Sequence, residues 1–541
     1  MRLCVFTRRT ALAAAGVTLT TALTAALAPT AHAQTQWNRP AAYPASNFHT
    51  ENLTQFAADV DKLSAGKLKI AVHANASLFK ANEIKRAVQG GQAQIGEVLL
   101  VNFENENPAY GADGIPFLAS SYAESKQLAA AQKPVLDRLL AAQGLLLLYA
   151  VAWPPQGIYV KKEISSVADM RGLKWRAYSP ATAKIAELIG AQPVTIQAAE
   201  LGQALATGVV ESYLSSGSTG YDSKTYESIK YGYDTQAWLP KNAVLVNKKA
   251  FDALDKPSQD ALLKAAAAAA EARGWKISEE KNDWYKKALA EKGMKIMVPP
   301  AKLTADLRQV GARSAPPCWP IGKSAPVPTA RPSSRPTAKS KPPSDRPSPT
   351  PRPSPPLPTP PLPPVRRFLD QLYLAAGGLA AVMVAAIAVL MVGQSVLRAF
   401  GVATGAVNDL VSWCCAAAAF LAMAHAFKHG DFVRVTLLLE QLAPAARRKF
   451  EIASLAVGSA ATAYLAWSAL LFTFESWQFD DIAQGLLPVA LWLPQTSLAL
   501  GSVLLSVAVV DEGVGVLRGG RPGYVTAVEQ RHAAGDFSAD I

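Results

Sequence analysis

The chain lacks the usual catalytic sets. No GxSxG elbow and no HExxH helix occurs, and six histidines and four cysteines leave too few groups for a nucleophile–base pair or a metal centre. An extracytoplasmic enzyme is therefore the weakest functional reading, and no cofactor or metal is expected. The phosphate loop GxxxxGK[ST] is also missing, so ATP is not the energy source within this chain. The group with most to offer is an arginine, Arg176, in the run DMRGLKWRAYSP (Asp169 to Pro180). A planar guanidinium presents parallel N–H donors that match two carboxylate oxygens, and it keeps its proton inside a cleft. By composition alone the surface reading of Arg176 is the stronger one, because Arg171 and Lys174 share the run.

Elements able to hold such a residue alternate through residues 34–312. Asn52 to Leu63 carries Leu53, Phe56, Ala57, Val60 and Leu63 at helical spacing. A strand pattern follows at Lys67 to Ala74, then a helix at Ala81 to Val88 stopped by Gly90-Gly91. Strands are expected at Ala93 to Val101, Leu145 to Trp153 and Gly157 to Lys162, and helices at Gln259 to Arg273 and Glu279 to Leu289. Phe48 and His49 fall in the first loop, where a single histidine reads as a surface group. The alternation predicts an α/β fold, and its length suits two lobes with a ligand cleft between them.

The ends of this half are marked by composition. Residues 1–33 have a basic start (Arg2, Arg8, Arg9), an Ala/Leu/Thr run and the small-residue close AHA, the layout of a signal peptide. Arg8-Arg9 also fits a twin-arginine signal, and an uncleaved anchor is the alternative. Residues 313–365 are dominated by proline, serine and basic residues, a composition that predicts a disordered, extended tether. Much of the formal net charge of +13 sits there, including Lys339, Lys341, Arg346 and Arg352 against Asp345 alone. With no basic face interleaved by aromatics in the folded stretches, nucleic acid is not an expected partner. Cys4 lies in the leader, Cys318 in the tether, and Cys414 and Cys415 on an apolar helix, so no disulfide framework is expected.

Residues 366–520 hold four long apolar segments, about Tyr373 to Leu397, Leu410 to Phe427, Ile452 to Phe474 and Ile482 to Val510, before a polar tail at 521–541. Crossing hydrocarbon takes about twenty residues, so a four-helix transmembrane bundle is predicted. Basic residues precede the first segment (Arg366, Arg367), fill the loop after the second (Lys428, Arg434, Arg447, Arg448, Lys449) and follow the fourth (Arg518, Arg521). The loop after the third holds Glu475, Asp480 and Asp481 and no base. Both ends of the bundle therefore face the cytoplasm. That conflicts with an exported first half, since a polar tether does not rest in a bilayer. Cleavage between the halves, an inverted bundle, a receptor kept in the cytoplasm, and a joined reading of two neighbouring genes all remain open.

Phe48 to Leu100, IPFLA (Ile115 to Ala119), the Arg176 run and ALATGVVES (Ala204 to Ser212) together resemble the solute-binding proteins of tripartite ATP-independent periplasmic (TRAP) transporters. FKHGDFVRVTLLLEQL (Phe427 to Leu442) and LPVALWLPQTSLALG (Leu487 to Gly501) resemble the small four-helix membrane subunit of the same family. The resemblance implies a two-lobed α/β periplasmic receptor that closes over a small organic acid, with Arg176 bridging its carboxylate. It implies a large membrane subunit as partner on a separate chain, an inner-membrane location and uptake drawn from a sodium-ion gradient. It further points to Glu97 after Gly96, to Trp153, Tyr159 and Tyr178 as aromatic walls or plain core, and to the stretch Glu211 to Ser216. There the family's acidic-glycine pair is replaced, and Ser215 and Ser216 stand in for its polar contacts. Phe432 and Thr436 likewise stand where the small subunit has His and Asp beside VRV. The prolines after Ala312 suggest a shortened bracing helix, and Pro494 suggests a bend in the fourth span. A membrane-tethered sensor or interaction protein is the alternative function, distinguished by the lack of a neighbouring permease.

Overall fold

A computed structural model describes residues 34–314, 364–400, 402, 404–431 and 443–533. The leader, the tether from 315 to 363 and most of the expected interfacial helix (432–442) lie outside the described residues. The chain forms two compact units. One holds the residues up to Ser314 with 389–412 and 471–495; the other holds the rest of the membrane half.

The first unit opens on β1 (Thr35–Pro40), followed by α1 (Phe48–Leu63) and β2 (Leu68–His73), which pairs in parallel with β1. Phe48, Leu53, Phe56 and Val60 form the buried face of α1. The helix starts four residues earlier than the periodicity predicts, because the Asn47 side chain caps it by accepting the His49 amide at 2.9 Å. Next come α2 (Ile84–Gln89) and β3 (Ile95–Leu99), which passes at once into a 3₁₀ turn, Leu100–Phe103. A capping box of Ser121 and Glu124 starts α3 (Tyr122–Ala142), which leads to β4 (Leu145–Ala152).

The second lobe contains β5 (Gly157–Val160), β6 (Lys174–Ala177), α4 (Pro180–Leu188), β7 (Gln192–Thr195), α5 (Leu201–Ala206), β8 (Ser212–Ser215), α6 (Gly217–Asp222) and β9 (Tyr231–Tyr233). The chain then returns on β10 (Lys241–Asn247), which lies between β3 and β4 and is antiparallel to both. After α7 (Lys248–Asp252), α8 (Lys256–Ala267) and a π-helical stretch (Ala268–Trp275), α9 (Lys276–Glu291) leads to β11 (Lys295–Met297). The resulting sheets run β3–β10–β4 in one lobe and β11–β9–β5–β8–β6–β7 in the other. Each lobe has its own core, one around Phe48, Phe56, Trp153 and Trp275, the other around Trp175 and Trp238. Despite the prolines that follow it, α10 (Ala301–Ser314) plugs Leu303, Leu307 and Val310 into the second core.

Segment 471–495 packs within the same unit: Arg86 on α2 donates to Ser476 Oγ at 2.7 Å and to Glu475 Oε2 at 2.9 Å. The expected fourth span does not start at Ile482. Residues 482–491, which include Gly485 and Pro488, form a turn closed by an antiparallel bridge between Ile482 and Ala490. Pro494 then falls in the first turn of the helix, where a missing amide breaks no helical hydrogen bond, so it starts the span instead of bending it.

Among the described residues the membrane half forms α11 (Pro364–Ala399), α12 (Gly405–His429), α13 (Pro444–Gln478) and α14 (Trp492–Leu517), each long and apolar enough to cross a bilayer. In the second unit, Tyr373, Ala376, Ala424, Leu504 and Ala508 pack together, and small residues dominate the contacts. Lys428 lies 2.7 Å from Glu512 and 3.1 Å from Asp511, with Arg366 3.6 Å from Glu512. Part of the polar tail folds as α15 (Gly523–Ala533), held by Tyr524 Oη donating to Glu451 at 2.7 Å and the Gly523 amide donating to Glu512 at 2.7 Å.

Candidate functional site

Between the two lobes lies a cavity of about 220 Å³. Its floor in the second lobe is Arg176, the third residue of β6, which is 3 % exposed. The sheet fixes this side chain from two sides, since Arg176 registers with Val194 on β7 and Tyr213 on β8. Its Nε donates to the Ile196 carbonyl at 2.8 Å, and the guanidinium sits 5.0 Å above the Tyr178 ring. Among the described residues it has no carboxylate partner. Burial lowers its proton affinity, but only to a pKa of about 10, so it remains a cation at neutral pH. A buried, anchored and unpaired guanidinium is costly unless an anion arrives to meet it.

The opposite wall comes from the first lobe. Glu97 is the middle residue of β3, paired with Val244 of β10, and is 3 % exposed. One carboxylate oxygen lies 3.5 Å from His49 Nδ1, and the other has no hydrogen-bond partner among the described residues. His49 is buried in the first turn of α1, so the surface reading of this residue was wrong. Its ring lies 4.2 Å from Phe48 and 4.4 Å from Trp153 by centroid. Trp153 itself donates from Nε1 to Asn242 Oδ1 at 2.8 Å and meets Tyr43 edge-on at 4.8 Å. Asn102, in the 3₁₀ turn after β3, also lines the cavity, and its Oδ1 has no hydrogen-bond partner among the described residues.

Five of the eight expected ligand residues, Glu97, Trp153, Arg176, Tyr178 and Ser215, line this cavity. Tyr178 donates to Gln156 Oε1 at 3.2 Å, and burial pushes its phenol pKa well up, so it serves as a neutral wall and donor. The other three lie elsewhere. Tyr159 stacks flat on Tyr213 at 4.7 Å inside a core cluster. Glu211 precedes β8 and accepts the Lys174 amide at 3.2 Å along the sheet. Ser216 caps α6 by accepting the Thr219 amide at 3.3 Å, which turns its hydroxyl into the helix end. Sequence reasoning passed over Tyr43, Asn102, Gln156 and Thr219, all of which line the cavity. An Asn47 cap and Phe48 continuing the apolar face of α1 were the available signals that His49 sits inside.

Two strands of chain carry the crossover beside the site. The Trp153 amide donates to the Pro240 carbonyl at 2.8 Å, and the Gln156 amide to the Trp238 carbonyl at 2.9 Å. Beside them Lys241 and Asp113 form a buried ion pair at 3.1 Å. Nearby, burial and the Asp113 charge push Glu104 up to a pKa of about 8.

Comparison with known proteins matches residues 41–315 to the model of bacterial extracellular solute-binding protein, family 7. Residues 387–519 match that of the tripartite ATP-independent periplasmic transporters, DctQ component. The crystal structure of DctP6, a Bordetella pertussis extracytoplasmic solute receptor binding pyroglutamic acid, is 67% identical with a TM-score of 0.51. It covers 52% of this chain and 92% of that chain. A marine metagenome TRAP solute-binding protein from an unidentified microbe, specific for pyroglutamate, is 45% identical with a TM-score of 0.51 over the same shares. A solute-binding protein of Albidiferax ferrireducens is 26% identical over 229 residues, 41% of this chain and 67% of that protein.

Proposed function

The chain belongs to bacterial extracellular solute-binding protein family 7 and carries a TRAP DctQ component behind that domain, and from this premise we propose that it captures pyroglutamate, or a close cyclic monocarboxylate, for uptake. In this family the receptor domain is periplasmic, and the DctQ part with its four apolar helices belongs to the inner membrane. Its relatives are receptors and transporter components, not enzymes.

The observation that carries the reading is Arg176: buried, pinned through Nε, and without an acidic partner among the described residues. The likeness to receptors that bind pyroglutamate supports the choice of acid. The ligand carboxylate takes the two terminal guanidinium nitrogens while the ring lies against Tyr178 and Trp153. Closure follows if these contacts from the two lobes exist together only in the closed form. Handover requires a large TRAP subunit on another chain, with the DctQ part as its scaffold.

Calorimetric titration of the detergent-solubilised chain with L-pyroglutamate, beside Arg176→Ala, tests the reading. Removing one side of a buried charged pair costs about 2–5 kcal/mol, roughly thirty-fold or more in Kd. Equal binding by both proteins would remove Arg176 from the site. Uptake of labelled pyroglutamate that is indifferent to a co-expressed large subunit would remove the permease partner.

A further inference from the structure

The second lobe borders a further cavity, of about 650 Å³, that shares no lining residue with the inter-lobe site. It opens between the turn before β6, helices α4 and α10, and the end of α11 with the start of α12, all within the first compact unit. Three guanidiniums line it: Arg171 before β6, Arg313 in the last turn of α10 and Arg398 in the last turn of α11. Among the described residues none of the three pairs with a carboxylate. Arg398 is steadied by its Nε donating to Thr404 Oγ1 at 3.2 Å. Two acids share the lining, Glu187 and Asp306, but each lies against a lysine of its own helix, Lys184 at 3.8 Å and Lys302 at 3.1 Å. Like charges gathered on one cavity repel, so the three cations favour an anion between them.

The depth of this cavity in the membrane narrows the choice of anion. The span Arg366–Ala399 has 34 residues and rises about 51 Å. A bilayer with its headgroups is about 40–45 Å thick, so a modest tilt lays the arginines at the two ends of this helix in the two headgroup layers. Arg398 therefore stands at phosphate level. Just beyond it, Phe400 and Val402 line the same cavity while leaving 79% and 48% of their surface exposed. A cationic cavity with an apolar mouth at that depth matches a phosphate joined to acyl chains.

We propose that this cavity holds the phosphate of an anionic phospholipid, with Arg171 and Arg313 reaching it from the second lobe and Arg398 from the membrane. A planar guanidinium meets two phosphate oxygens at once, which suits arginine better than lysine to the task. The acyl chains leave past Phe400 and Val402 into hydrocarbon; a free phosphate would satisfy the arginines but not these two. The lipid is then a shared ligand that seats the second lobe on the bilayer, whatever acid the inter-lobe site carries.

The test is photolabelling of the full chain in detergent with phosphatidylglycerol that carries a photoreactive headgroup, read peptide by peptide by mass spectrometry. Unlabelled phosphatidylglycerol, phosphatidylcholine and inorganic phosphate serve as competitors. Peptides around Arg171 or Arg313 should be labelled, and phosphatidylglycerol should protect them at least about tenfold better than phosphatidylcholine. Arg398→Gln should weaken labelling there about tenfold, as should Arg171→Gln with Arg313→Gln, each with an unchanged thermal midpoint. Combining the three should lose little more than either, because one headgroup is shared, whereas independent surface cations would add. Arg398→Lys, which keeps the charge, should retain part of the labelling.

Labelling confined to the membrane half overturns the inference, as does equal protection by phosphatidylcholine. Labelling of the receptor peptides that is indifferent to all three substitutions, or lost entirely in Arg398→Lys, overturns it too. Protection by inorganic phosphate at the same concentration as the lipid would replace the lipid site with one for a soluble anion.

Discussion

The receptor and the membrane half use the same few apolar residue types in opposite ways. In the receptor, Trp175, Trp238, Phe48 and Phe56 are wholly buried. In the membrane half, Val382, Val457, Tyr464 and Trp467 turn outward with more than half their surface exposed, while Ala376, Ala424 and Ala508 fill the contacts. Water drives the first arrangement through the hydrophobic effect; in hydrocarbon that drive is missing, and close backbone approach by small residues replaces it. Charge is also handled differently. The receptor leaves Arg176 with no carboxylate in ion-pair contact among the described residues, whereas the bundle gathers Arg366 and Lys428 against Asp511 and Glu512 at one end. An unpaired buried charge marks a place where a ligand completes the site. A paired cluster marks a structural tie.

The strongest way to break that contrast is Glu512→Ala. Glu512 is 1% exposed, approached by Lys428 and Arg366, and also accepts the Gly523 amide. Removing one partner of a buried pair costs about 3–5 kcal/mol, so the detergent-solubilised variant should lose protease resistance in its membrane half. Pyroglutamate binding should persist. Loss of binding with an intact bundle would show that the two kinds of buried charge are not separable in this way.

The receptor should also show the cost of burying one acid beside another. Glu104 in the folded chain has a pKa of about 8, against the ordinary 4.5, with burial the main cause and Asp113 adding to it. The folded state therefore keeps a proton that the unfolded chain releases. Stability is full below about pH 4.5 and falls as pH rises toward about 8, by at most about 1.4 kcal/mol per unit. The thermal midpoint followed by circular dichroism should drop across that window, and Glu104→Gln should flatten the curve. A midpoint that rises with pH in the unaltered chain and is unmoved by the substitution would refute this.

How far this contrast was legible in the sequence differs between the halves. Apolar runs of bilayer length announced the four spans without any knowledge of packing, because in lipid no partner surface is needed to make a run apolar. Even so, the fourth was misplaced, since composition cannot distinguish an apolar turn at 482–491 from helix. In the receptor, helical spacing gave α1 but not its first turn, where a cap and not periodicity decides the start. Arg176 was legible only through resemblance. Lys174, Trp175 and Arg176 do not alternate cleanly between water and core, because helices cover the sheet and one end opens on the cavity. Tyr159 and Glu211 were indistinguishable in sequence from cavity residues, and what separates them is a stacking partner and a strand-edge amide.

A smaller test concerns how β3 is held for Glu97. A Cβ placed on Gly96 would lie 2.6 Å from Ile84 Cγ2 and 2.9 Å from Val88 Cγ2, both on α2. Gly96→Ala therefore forces α2 away from β3, at a cost of about 1–3 kcal/mol by analogy with overpacked cores. The midpoint should fall, and pyroglutamate affinity with it, because the shift moves the neighbouring Glu97. An unchanged midpoint would mean that α2 gives way freely.

The smallest effect expected is at Ser216, and it separates a residue that shapes the site from one that touches the ligand. Its hydroxyl accepts the Thr219 amide at 3.3 Å, while Ser215, one position earlier, lines the cavity. Loss of an N-cap costs about 0.5–2 kcal/mol. Ser216→Ala should lower the thermal midpoint and leave pyroglutamate affinity within a few-fold, whereas Ser215→Ala should weaken binding with little change in midpoint. The opposite pattern would mean that α6 presents its cap to the ligand, and the cavity wall would then run through Ser216 instead of Ser215.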